Sequence, residues 1–198
     1  MKRKLMTLVT AGAVTMAALS GTAAFANTQS GDDKAEVQAF LGGGQTISAA
    51  IGAAEAASGG KAVAAEFDQK NGLSFYEVDT IANGKQVSVE IDAASGKVIK
   101  SEDEGDIANT DEDDIVDPAQ LGAPLADLVA KAEQQSQAKV MSISAEHEAG
   151  QAGLIEVEVA KADGSTQEFA MAADGTLTPI VDTEDGGADE DGEEDDNG

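Results

Sequence analysis

The chain has 198 residues, with 38 Asp and Glu against 12 Lys and Arg, one His and no Cys or Trp, for a formal charge of −26. This balance argues against nucleic acid and anionic membrane surfaces, both of which need a basic face. It favours cationic partners, either basic protein surfaces or divalent ions, and the absence of Cys removes disulfides and thiolate metal sites.

Met1-Lys2-Arg3-Lys4 is a basic start, followed by an apolar stretch from Leu5 to Leu19 and then Ala24-Phe25-Ala26. This is the pattern of a signal peptide over residues 1–26, cleaved after Ala26. Its apolar run is short and rich in Ala and Thr for a membrane span, and no later segment is apolar enough to cross. The expected location is the periplasm. Removal of residues 1–26 takes away Lys2, Arg3 and Lys4 and leaves 9 Lys against 38 acids, a charge of 9 − 38 = −29.

Lys34–Leu41 has Val37, Phe40 and Leu41 at helical spacing and reads as a small extra helix. Ile47, Ala50, Ile51 and Ala54 then fall on one helical face. Thr46 is placed as N-cap, and Gly59-Gly60 ends the helix. Lys61–Asp68 and Leu73–Ile81 read as strands. Asn83-Gly84 between apolar alternations signals a tight hairpin. Val87, Val89 and Ile91 line the returning strand, and a last short strand is expected over Lys97–Lys100.

The same order returns further along. Leu125, Leu128, Val129 and Ala132 repeat the helical pattern 78 positions on (47 to 125). Val140–Glu146, Leu154–Ala160 and Thr166–Met171 read as strands, with Asp163-Gly164 and Asp174-Gly175 at the turns. The expected fold is α+β: two tandem units, each a helix on a small antiparallel sheet. Unit 1 is placed at 33–101 with its core at 46–101, and unit 2 at 118–181. Between and after them lie two runs without Lys, a linker at 102–117 and a tail at 182–198. Together they hold 19 of the acids (9 and 10). Like-charge runs repel themselves, so both are expected to be disordered.

The run Ile47-x3-Ile51, Gly60-x-Ala62-Val63, Phe75-Tyr76-Glu77-Val78 and Val87-x-Val89-x-Ile91-Asp92-Ala93-x-x-Gly96-Lys97-Val98 resembles the PepSY family. The likeness covers about 46–101. In the second block, about 124–181, Ile155-Glu156-Val157 stands in place of Tyr-Glu-Val, and the terminal motif lacks its Asp and Lys. The resemblance implies a non-catalytic module that modulates a peptidase or binds a peptide or protein partner in the periplasm. The alternative is an acidic exported protein that buffers calcium weakly.

Chemistry-bearing residues are few. The lone His147 sits between Glu146 and Glu148 with no nucleophile marked beside it. No enzyme activity and no cofactor are expected. The candidate partner contacts are Tyr76, Val78, Asp92 and Lys97. For Tyr76 the competing role is sheet-face packing, and for Asp92 and Lys97 it is turn chemistry. Diffuse cation binding is assigned to Asp111, Asp113, Asp114, Asp189 and Asp191, although neither acidic run has the EF-hand spacing.

Overall fold

A computed structural model of the chain describes residues 31–107, 117–148 and 151–180. Two α-helices and four strands come first: α1 (Gly31–Leu41), α2 (Ile47–Ser58), β1 (Lys61–Lys70), β2 (Leu73–Ala82), β3 (Lys85–Asp92) and β4 (Val98–Asp106). A 3-10 turn (Pro118–Gln120) leads into α3 (Leu125–Ser136), β5 (Lys139–Glu148), β6 (Gln151–Ala160), β7 (Thr166–Met171) and β8 (Leu177–Pro179). No described helix is long and apolar enough to cross a membrane.

Helix α2 forms where the sequence places it. Thr46 Oγ1 accepts the amide of Ala49 at 3.2 Å, satisfying one of the first-turn donors. Gly59 closes the helix at φ 71°, a left-handed conformation that costs glycine nothing. In α3, Pro124 holds the N-cap position and offers no side-chain acceptor, and Gln137 at φ 56° takes the left-handed position. Asn83 and Gly84 at φ 53° and 79° make the two-residue β2–β3 turn, with both central residues left-handed.

Local hydrogen bonds recur at the same 78-residue spacing. Glu55 Oε1 accepts the amide of Ala62 at 3.1 Å, and Glu133 Oε1 that of Val140 at 3.4 Å. Each carboxylate also pairs with the lysine that opens the next strand, Lys61 at 3.3 Å and Lys139 at 3.6 Å. Ser58 and Ser136 each donate to the carbonyl four residues back and accept an amide two residues on. These contacts fix the exit from each helix into its strand.

The sheet departs from the expectation of two small ones. All eight strands are hydrogen-bonded in a single antiparallel order, β4-β3-β2-β1-β5-β6-β7-β8. The join is β1 against β5, with Ala64, Ala65 and Glu66 opposite Ser144, Ile143 and Ser142. One hydrophobic core runs through the whole fold and includes residues of both halves. It gathers Ile47, Ile51, Leu125, Leu128 and Val129 of the helices with Ala65, Phe67, Tyr76, Val78, Val89, Ile91, Ile143, Val157 and Met171 of the strands. The physical reason is size. A half of about 60 residues is only marginally stable by itself, and pairing two sheet edges removes both edges at once.

One further bound differs. Strand β4 continues to Asp106, well beyond the expected end at Lys100, so residues 102–106 of the acidic run are strand. Lys85 stabilises that extension through Asp103 at 2.9 Å, and Lys100 bonds Glu102 at 2.7 Å. The small helix α1 forms, and Phe40 meets Phe67 edge-on at 5.3 Å, which in turn meets Tyr76 at 5.5 Å.

Candidate functional site

Tyr76 and Val78 are fully buried at 0% exposure, so neither side chain lies on the surface. The Tyr76 hydroxyl donates to the carbonyl of Gln45 at 2.8 Å. Burial and the Glu133 charge push its pKa up to about 12. The Gln45 amide donates to the Ala93 carbonyl at 3.0 Å. Tyr76 and the end of β3 therefore grip the same residue at the entrance to α2. Asp92 organises the following turn: its Oδ1 accepts the amide of Ser95 at 2.7 Å and the hydroxyl of Ser95 at 2.5 Å. These bonds from Ser95 hold its carboxyl below the usual range. The backbone then closes with Gly96 donating to Asp92 at 2.8 Å and Gly96 at φ 70°. Lys97 adds its carbonyl, which accepts the Asp92 amide at 2.8 Å. Asp111, Asp113, Asp114, Asp189, Asp191 and Ala26 lie outside the described residues, as does the side chain of His147, whose backbone belongs to β5.

The four partner candidates are thus not brought together as one surface. What the sheet does bring together is a different set. Side chains alternate across a strand, and α2 and α3 cover the face that carries Tyr76, Val78, Ile91 and Val157. The opposite face carries the residues in between. Register lines them up: Lys100 on β4 stands opposite Glu90 on β3, Glu90 opposite Glu77 on β2, and Glu77 opposite Glu66 on β1. Glu66 stands opposite Ser142 on β5, Ser142 opposite Glu158 on β6, and Glu158 opposite Glu168 on β7. A parallel row runs Glu102, Ser88, Asp79, Ala64, Ser144, Glu156.

Directly opposed residues place their Cβ atoms about 5 Å apart, and like charges there repel. Burial and that repulsion together mark the row. Glu66 is pushed from an ordinary 4.5 up to about 7, by burial first and then by the Asp68, Glu158, Glu36 and Glu77 charges. Asp79 is pushed from 3.8 up to about 6, by burial and the Glu77 charge, against hydrogen bonds from Gln86 and Ser88 that pull the other way. Ser88 Oγ also donates to Glu77 Oε1 at 3.1 Å. Near the β4 edge Lys100 offsets part of the charge, at 3.6 Å from Glu90. Chemically, the face is a surface of closely spaced carboxylates whose mutual repulsion opposes their full ionisation. Among the described residues no group of three or more His, Asp or Glu is arranged to hold a metal ion.

A shallow cleft of about 280 Å³ lies elsewhere, lined by Glu55, Lys61, Leu121, Pro124 and Leu125. Its charged pair already serves the α2-to-β1 turn. The carboxylate rows were not singled out from the sequence. Their signal was there in the alternation Phe67-in, Glu66-out and Tyr76-in, Glu77-out. Only the strand register joins the carboxylates across β1 and β5.

Residues 44–102 match the model of the PepSY family, described as peptidase propeptide and YPEB domain. The chain is also similar to a solved "putative lipoprotein" from Clostridium difficile 630, at 14% identity and a TM-score of 0.38, over 65% of this chain and 87% of that one. No match is found among curated proteins.

Proposed function

We propose that this protein is an exported, non-catalytic binding module whose open sheet face takes up a cationic protein or peptide, in particular the basic surface of a peptidase. The observation that carries the reading is the row of opposed carboxylates from Glu90 through Glu77 and Glu66 to Glu158. Facing like charges cost stability, and an approaching cation recovers that cost. The peptidase class comes from the match of residues 44–102 to a propeptide family. Export to the periplasm is supported by the basic, apolar and Ala-x-Ala order of residues 1–26. The surplus of acids steers basic partners towards the face over distances near the Debye length.

The test is a photoreactive residue at position 77, expressed in the full chain in its own cell and irradiated. Crosslinks to a basic extracytoplasmic protein, lost in a Glu66→Lys, Glu90→Lys variant that still folds, are the expected result. Crosslinks no more abundant than from an exposed position such as Gln134 refute the reading, as does turnover of a peptide substrate by the purified chain. Weak calcium uptake by the runs at 102–117 and 182–198 is the competing use of the charge. A titration that gives heat with calcium but no crosslinks at position 77 would favour it.

A further inference from the structure

The two edges of the sheet are built differently. Strand β8 has three residues and ends in Pro179, which cannot extend a ladder. Strand β4 has nine residues and no proline. Every residue of β4 except Gly105 is exposed, including Val98 at 44% and Ile99 at 51%. No strand among the described residues lies on its outer side.

The direction of its backbone groups follows from β3. The Asp92 amide donates to Lys97, so it points towards β4, and the Ala93 amide donates to Ser74, so it points towards β2. Alternation carries this along the strand. Glu90 and Ser88 point towards β4 and face Lys100 and Glu102. A bulge at Ile99 interrupts this alternation, and between it and a second bulge near Gly105 the amides and carbonyls of Ser101 and Asp103 point outward.

We propose that the outer edge of β4 is the docking line for an extended, lysine- or arginine-bearing segment of the partner, which adds to the sheet as a ninth strand. Deepening the functional reading above, the proposal rests on it for the cationic character of the partner. Charge selects the occupant. Glu102, Asp103, Glu104 and Asp106 stand against Lys100 on β4 and Lys85 on β3, which pair with Glu102 and Asp103, so the edge keeps a surplus of two acids and a second copy of it is repelled. An incoming strand with alternating basic side chains meets this acidic surplus and pairs its backbone with Ser101 and Asp103. Val98 and Ile99 offer apolar contact at the start of the line.

The probe is a peptide of alternating Lys and Val, about eight residues long and carrying an N-terminal fluorophore, into which the full chain is titrated and binding followed by fluorescence anisotropy. A second peptide of the same sequence carries N-methyl groups on alternate amides, which keeps the charge and blocks strand pairing. The first peptide is expected to bind about tenfold or more tightly than the second, the loss of one or two backbone hydrogen bonds. Ser101→Pro removes an outward amide where an edge strand tolerates proline. It is expected to abolish that difference while leaving the thermal midpoint within a few degrees. Should Ser101→Pro fail to fold, protection of the Ser101 and Asp103 amides from hydrogen exchange by the first peptide decides the matter. Equal binding of the two peptides, or no added protection at Ser101 and Asp103, overturns the proposal. Loss of the edge with persistent crosslinks at position 77 would sink only β4 docking and leave the sheet-face reading standing. Absence of both would sink the two together.

Discussion

Replacing Glu66 by glutamine keeps the shape of the side chain and removes one charge from the centre of the carboxylate row. The folded protein holds the Glu66 proton up to about pH 7, whereas the unfolded chain releases it near 4.5. Between these values the folded state binds more protons, so stability falls as pH rises through this window. Above about pH 7 the full penalty is present, and below 4.5 it is absent. The gap corresponds to a ceiling of about 3 kcal/mol at 1.36 kcal/mol per pH unit. Glu66 is only partly buried, and screening by water and salt reduces this to ~1–2 kcal/mol. Glu66→Gln should therefore stabilise the protein by ~1–2 kcal/mol at pH 8 and change nothing at pH 4. Urea unfolding followed by circular dichroism at both pH values measures this, since urea leaves the ionic strength alone. A carboxyl-carbon NMR titration gives the Glu66 pKa directly. Stabilisation of the same size at pH 4 and pH 8, or a pKa close to 4.5, would refute the penalty on the charged form of Glu66, to which burial contributes most and the neighbouring carboxylates less.

Asp79→Asn should act in the same direction over the window from 3.8 to about 6, and the double variant with Glu66→Gln should gain less than the sum, because both respond to Glu77; a urea double-mutant cycle at pH 8 checks it. Tyr76→Phe removes the bond to the Gln45 carbonyl and should cost about 1–2 kcal/mol in urea unfolding, with no change in the far-ultraviolet spectrum. Gly60→Ala should destabilise by ~2 kcal/mol or more, because a Cβ there would stand 2.6 Å from the Ile81 carbonyl oxygen; a thermal midpoint equal to that of the parent would show that β2 yields instead. Glu55→Gln and Glu133→Gln should each cost ~0.5–1 kcal/mol and by similar amounts, since each carboxylate makes the same amide and lysine contacts. Unequal losses would show that the two helix exits are not energetically equivalent.

The elements governed by near neighbours were legible in the chain before any fold was known. Thr46, Gly59 and the Ile47–Ala54 stripe specify α2 within a dozen residues. Asn83-Gly84 specifies the β2–β3 turn in two residues. Even the burial of Tyr76 follows from alternation with Val78, although its hydroxyl partner, Gln45, lies 31 residues away. Local sterics and side-chain periods act over such distances, so the sequence by itself determines them.

What the sequence could not decide is set by contacts between residues far apart. Nothing in β1 or β5 alone says that Ala65 stands opposite Ile143, and that pairing turns two four-stranded sheets into one. The same pairing carries the carboxylate row from Glu66 across Ser142 to Glu158. The extension of β4 to Asp106 is a pairing with β3, in which Lys85 meets Asp103, 18 residues apart, in a run whose composition argues for disorder. Helices and turns are local choices of the backbone, while register is a choice among distant edges settled by burial of one common core. The candidate site belongs to the second kind: the sequence determined that carboxylates alternate with core residues, and the tertiary structure decided which carboxylates face one another.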